Sequence, residues 1–190
     1  MNSWTYETSG DLPALLSAED FAVLTGNSLS STTEQIEAVL ASVSQVVRDY
    51  CGWHISPNLV CTWKGDGDGR LVQLPAMFIT DVSSVKVDGR TLSASEYQWK
   101  DDGLLRLARP LPDNWGRRVE VEFSAGVDTD AIAAVVSQVA VNYLVAPAGV
   151  SSETAGGVSI SYNSTGYGMT GGIRLHSTDK ATLAQYRISR

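Results

Sequence analysis

The stretch Arg48-Asp49-Tyr50-Cys51-Gly52-Trp53-His54-Ile55-Ser56-Pro57, RDYCGWHISP, decides how this chain is divided. It brings a carboxylate, a thiol and an imidazole close together in sequence, so it could be a reactive centre, a metal site or the end of a helix. Upstream, Ile36, Val39, Leu40, Val43, Val46, Val47 and Tyr50 recur at spacings of three and four, which predicts one amphipathic helix of about five turns. Ser31-Thr32-Thr33-Glu34 reads as the capping box that opens it. Cys51 then falls in the last turn, Gly52 supplies the left-handed residue just beyond, and Ser56-Pro57 enforces extended backbone. Trp53 and Ile55 are placed to fold back on the helix as a C-terminal hydrophobic contact. The stretch is read as a helix end.

Working outward, residues 1–16 form an irregular N-terminal arm, and Ser17 caps a short helix that Gly26 ends. After residue 57 the hydrophobic period changes from that of a helix to strict alternation. Leu59–Trp63 and Arg70–Leu74 flank Gly65-Asp66-Gly67-Asp68-Gly69, read as an acidic hairpin tip. Val82–Val87 leads into the hairpin signal Asp88-Gly89. Further strands are expected at Tyr97–Trp99, Leu104–Leu107 and Val119–Phe123. Helical spacing returns after Asp128-Thr129 with Ile132, Val135, Val136, Val139, Ala140, Tyr143 and Leu144, until Pro147 stops it. Residues 147–176 are a Gly/Ser-rich flexible loop holding one strand candidate, Val158–Tyr162. Ser177-Thr178-Asp179-Lys180 starts a last short helix bearing Leu183 and Tyr186. The expected fold is α+β. About three to four helices from 17–57 and 128–188 form a bundle, an antiparallel β module at 58–127 is inserted into it, and a flexible arm lies toward the C-terminal end.

Of the 190 residues 43% are hydrophobic and 18% charged, which suits one globular domain, or one carrying an insertion, rather than a disordered chain. No apolar run is long enough to span a membrane, and Met1 is not followed by a basic and then an apolar region, so the reading expects a soluble, cytosol-made protein without a membrane partner. The net charge of −7 argues against a main task of gripping nucleic-acid phosphates. Residues 1–50 carry seven carboxylates against Arg48 alone, whereas Arg174, Lys180, Arg187 and Arg190 outnumber Asp179 after residue 172. Ends of opposite sign favour ordered docking between complementary fields.

The chemistry-bearing motifs are weighed against plainer alternatives. A Cys51-His54 nucleophile pair lacks an orienting third group and places its thiol at the negative end of a helix, where the dipole disfavours a thiolate. Cys51, His54 and Cys61 match no established zinc spacing. If Asp66 opened a calcium loop, Leu71 and Met77 would occupy the glycine and glutamate positions. Gly166-Tyr167-Gly168-Met169-Thr170-Gly171 matches the dinucleotide fingerprint in letters but lacks its strand, helix and acid. Gly157–Ser161 ends in serine where a nucleophile elbow needs glycine. No catalytic, cofactor or metal site is therefore assigned, and Cys51 and Cys61 are read as buried thiols. Arg106, Arg109, Arg117 and Arg118 are interleaved with acids, so they read as a solvated sheet face. Trp63, Trp99 and Trp115 leave open a second reading, a β module that binds carbohydrate or a host or virion surface.

The order of elements carries a further signal. A short helix, a longer one ending in YCGWHISP (50–57), a helix DAIAAVVSQVAVNYL (130–144), the segment ETAGGVSISY (153–162) and a closing DKATLAQYRI (179–188) resemble the head-to-tail connector, or adaptor, proteins of tailed bacteriophages. The resemblance covers residues 17–57 and 128–188, and the β region at 59–127 departs from the smallest, nearly all-helical members. It implies a structural protein of the virion neck, assembled in the host cytoplasm. It also implies a homo-oligomeric ring of about twelve subunits beneath the portal protein, meeting a tail-side connector or tail terminator and extending the channel through which genomic DNA passes without sequence-specific contact. The family's C-terminal segment reaches the portal, and Tyr186, Arg187, Ile188 and Arg190 match that ending.

Overall fold

The computed structural model describes residues 4–26, 31–111, 118–145, 152–155, 158–161 and 173–188. The chain is an α+β protein that folds as two compact units. One comprises Met1–Pro13, Cys51–Asp128 and Tyr186–Arg190; the other comprises Ala14–Tyr50 and Thr129–Gln185.

The first unit is built on a five-stranded antiparallel sheet. Strands β1 (Thr5–Thr8), β2 (Leu59–Gly65), β3 (Leu71–Gln73), β4 (Ile79–Val87), β5 (Arg90–Thr91), β6 (Tyr97–Trp99), β7 (Leu104–Leu107) and β8 (Val119–Ala125) all belong to this unit. The large sheet runs β1-β2-β8-β4-β5, and a second sheet runs β3-β7-β6. Strand β8 is central, and its Val119, Val121 and Phe123 are fully buried. Cys61 and Val82 flank Phe123, and Trp63 and Val85 flank Val121, so alternation in three strands converges on one face. Two register shifts in β4 absorb its extra residues. The Asp88-Gly89 hairpin forms as expected, with φ of 51° and 79° at the two turn residues, the geometry that only such a pair adopts cheaply.

Two expectations for this unit are corrected. Residues Thr5–Thr8, in the segment read as an irregular arm, are a strand pairing with β2 from Thr5 opposite Lys64 to Thr8 opposite Cys61. The Gly65–Gly69 segment is not a hairpin tip, because β2 has β1 on one side and β8 on the other and β3 pairs with β7 instead. A glycine-rich turn specifies reversal but not partner. Here the reversal closes late, between Asp68 and Leu71, whose backbones exchange two hydrogen bonds.

In the second unit, helix α1 (Ala18–Leu24) is capped by Ser17, whose hydroxyl accepts the Asp20 N–H. Helix α2 (Thr33–Cys51) is the long amphipathic helix, burying Val39, Leu40, Val43 and Val47. Its capping box lies one residue later than the sequence suggested. Gln35 N–H meets Thr32 Oγ1 and Thr32 N–H meets Gln35 Oε1, so Thr32 and Gln35 do what Ser31 and Glu34 were expected to do. Ser44, buried within the apolar stripe, donates to the Leu40 carbonyl and accepts the Leu15 N–H, tying the segment before α1 to α2. Helix α3 (Asp130–Val145) buries Ile132, Val135, Val136, Val139 and Ala140. Within the 147–176 loop, β9 (Ser152–Ala155) and β10 (Val158–Ser161) form an antiparallel hairpin, of which only the second strand was anticipated. The Gly166–Gly171 motif lies outside the described residues. Helix α4 (Ser177–Leu183) opens with the His176 N–H bonded to the buried carboxylate of Asp179, and a 3-10 turn, Ala184–Tyr186, follows. No helix among the described residues is long and apolar enough to cross a membrane.

Candidate functional site

The quoted stretch leads into a knot of aromatic side chains in the first unit. Helix α2 ends at Cys51, and Gly52 takes φ of 84°, as its place beyond the last turn demands. This turn buries Trp53, His54 and Ile55. Trp53 is buried, meeting the His54 ring edge-on at 5.3 Å and stacking on Phe78 at 6.2 Å, while the Tyr186 carbonyl accepts the indole N–H at 2.7 Å. Phe78 also meets the Tyr186 ring at 5.7 Å, and the Ile188 N–H donates to the Cys51 carbonyl at 3.0 Å. The segment expected to reach a portal is thus anchored at its root: Tyr186 is buried, Arg187 is exposed and Ile188 is half-buried. Arg190 lies outside the described residues.

His54 sits at the other end of the knot. Its Nε2 is 2.9 Å from the Ala125 carbonyl and 3.1 Å from that of Pro57. Carbonyl oxygens only accept, so the ring hydrogen is on Nε2, and Nδ1 accepts from the Tyr6 hydroxyl at 2.6 Å. Tyr6 Oη is also 3.2 Å from Cys61 Sγ. Burial, followed by the Cys61 contact, raises the Tyr6 phenol far above its ordinary range. Burial pushes Cys51 up to about 11 against the pull of Arg187, and raises Cys61 against the pull of Tyr6. Burial rather than the helix dipole is the cause resolved for Cys51. Both nitrogens of His54 are held in hydrogen bonds and both cysteines are buried and outside any disulfide, so the cluster is built to hold strand β1 against the turn that follows Cys51 rather than to generate a nucleophile. Among the described residues no group of three or more His, Cys, Asp or Glu side chains could hold a metal ion.

The outer side of the β3-β7-β6 sheet presents a second surface. Register places Arg106 of β7 between Leu71 and Gln98. A groove of about 820 Å³ is lined by Asp68, Arg70, Leu71, Gln98, Trp99, Lys100, Leu104 and Arg106. Leu71 is 46% and Trp99 37% exposed. Of the tryptophans weighed for recognition, Trp99 is on this surface. Trp63 is 4% exposed and belongs to the core, because its alternation in β2 points it at Val121, and Trp115 lies outside the described residues. Several other charged side chains of the module are paired in place. Glu120 sits in one cross-strand row between Lys64 and Lys86, at 2.9 and 3.0 Å, which hold its carboxyl below the usual range. Arg118 pairs with Asp88, and Arg90 with Glu96 at 2.7 Å, whose carboxyl falls to about 2.

The aromatic anchor was not visible in the sequence, since Trp53 and Tyr186 are 133 residues apart. The period-two stretches around Tyr97 and Leu104 were the only trace of the groove.

Comparison with known proteins follows from this architecture. The model of the head completion protein family matches residues 14–174. No curated protein matches the chain. Among solved structures, a chain from the neck of a native GTA particle, computed with C12 symmetry, aligns with TM-score 0.59 at 14% identity over 98% of this chain and 96% of that one. A chain from the neck of the empty particle, computed with C6 symmetry, aligns with TM-score 0.63 at 13% identity over the same shares. A chain from the virion of a native gene transfer agent particle aligns with TM-score 0.60 at 14% identity, again over 98% and 96%. At these identities the likeness is one of fold along nearly the whole of both chains. The resemblance to head-to-tail connectors read from the sequence agrees with both comparisons, and the chain belongs to the head completion protein family.

Proposed function

We propose that this protein is a structural subunit of the virion neck that forms a ring, of twelve copies by analogy with the C12 neck, joining the capsid portal to the tail and continuing the DNA channel. The observation that carries this reading is the family match over residues 14–174 combined with an end-to-end fold likeness to neck chains. Physical features support it. A ring needs a heterologous interface with two different complementary faces, and the acidic first fifty residues and the more basic C-terminal end differ in sign. A chain of net charge −7 lets phosphates slide past without adhesion. In this reading the helices of the second unit pack as a bundle, assembly takes place in the host cytoplasm, and a tail-side connector or tail terminator meets the ring's other face.

At the portal face, Arg187 and Arg190 make the contact, while buried Tyr186 and half-buried Ile188 set the point from which the segment leaves the subunit. Cryo-electron microscopy of assembled particles, with native mass spectrometry of the purified chain alone and with portal protein, tests this. The expected result is a closed ring at the portal base. A subunit found in the capsid shell or at the tail tip overturns it.

A further inference from the structure

We propose that the groove on the β3-β7-β6 sheet is the socket for helix α1 of a neighbouring copy, forming the subunit-to-subunit contact of the ring. This rests on the ring reading above and adds the residues that close it. Among the residues that line the groove, Asp68 is the one carboxylate beside Arg70, Lys100 and Arg106, so a local excess of positive charge sits on a chain that is acidic overall. Lys64, Lys86, Arg90 and Arg118 of the same unit each meet a carboxylate. Arg70, Lys100 and Arg106 enter no ion pair among the described residues. The exposed Leu71 and Trp99 line the same groove, so the occupant must bring both carboxylates and apolar side chains.

Helix α1 brings both. Phe21 buries one side of it completely, while Val23 is 75% and Leu24 57% exposed, the two most exposed large hydrophobic side chains among the described residues. Glu19 and Asp20 stand one turn before them, so each apolar side chain is stacked under an acid on the outward face. Seven residues of helix measure about 10 Å, and three strands span about 10 Å between the outer two, so helix and groove agree in size. The socket and the plug are different surfaces of one sequence, which is the condition for head-to-tail association that closes into a ring. Nucleic acid and anionic glycan satisfy the cations and can stack on Trp99, but they leave the exposed Val23 and Leu24 of α1 uncovered, so a second copy, which buries both surfaces at once, is the better occupant.

Charge exchange in the full-length chain tests this by native mass spectrometry and sedimentation. Arg70→Glu/Arg106→Glu and, separately, Glu19→Arg/Asp20→Arg are each expected to weaken ring formation by at least about tenfold. The chain carrying all four changes is expected to regain it, and misfolding cannot produce that rescue. Rings that persist unweakened in both double variants overturn the socket and leave the neck reading standing. A wild-type chain that forms no ring, alone or on portal, overturns both. If both variants lose the ring without rescue, the socket assignment fails. Wild-type binding to a short DNA duplex or to heparin, abolished by Arg70→Glu/Arg106→Glu, then identifies the true class of occupant.

Discussion

At the scale of single residues, the imidazole of His54 shows how a sequence can advertise chemistry that its surroundings remove. Its Nδ1 takes the Tyr6 hydroxyl and its Nε2–H is spent on main-chain carbonyls. Tyr6→Phe leaves that nitrogen buried without a donor and is expected to cost about 1–3 kcal/mol, read as a lowered denaturant midpoint. An unchanged midpoint would show that the bond contributes nothing. The thiols give a prediction with a definite sign. Cys51 holds its proton up to about 11 when folded, above the ordinary thiol value, so the folded state binds protons more tightly. Its contribution to stability is complete below the ordinary thiol pKa and is lost as pH rises through the interval up to about 11, and Cys61 shifts in the same direction. Unfolding free energy measured by urea titration should fall over that alkaline range. Iodoacetamide at neutral pH should label both thiols only after denaturation, and rapid native labelling would contradict the burial seen for both.

At the scale of elements, the anchoring of the C-terminal turn is testable through one hydrogen bond. Trp53→Phe keeps an aromatic ring beside Phe78 but strips the Tyr186 carbonyl of its donor. Hydrogen exchange at residues 184–188 should accelerate by about tenfold or more, corresponding to a local loss of about 1–3 kcal/mol. Unchanged protection would mean that the turn is held by packing alone. The legibility of the elements follows the same division between local and distant causes. Strands at Tyr97–Trp99 and Leu104–Leu107 were readable to the residue because their alternation and bounding turns are local. The capping box was misplaced by one position because Ser31-Thr32-Thr33 offers several hydroxyls, and only geometry selects Thr32. Strand β1 carries the sequence Thr-Tyr-Glu-Thr, too polar and short to declare itself, and it becomes a strand because β2 presents an open edge. The groove was illegible for a related reason, since the row Leu71-Arg106-Gln98 exists only once three strands are in register.

At the scale of the whole molecule, the chain passes between its two units at four points, near residues 13, 50, 128 and 185, so neither unit is a continuous segment. A fragment spanning 51–128 would contain most of the β strands but lack both Tyr6 and Tyr186. It should therefore show neither a cooperative unfolding transition nor dispersed amide resonances, whereas the full chain shows both. A well-folded fragment would prove the two tyrosines dispensable. The bond from Trp53 to the Tyr186 carbonyl has a further implication for biosynthesis. A ribosome releases the indole long before the tyrosine exists, and in the interval its N–H waits without the Tyr186 carbonyl. The turn at 184–188 is therefore fixed on the first unit only after residue 186 has been made, and the segment that follows it takes its place last.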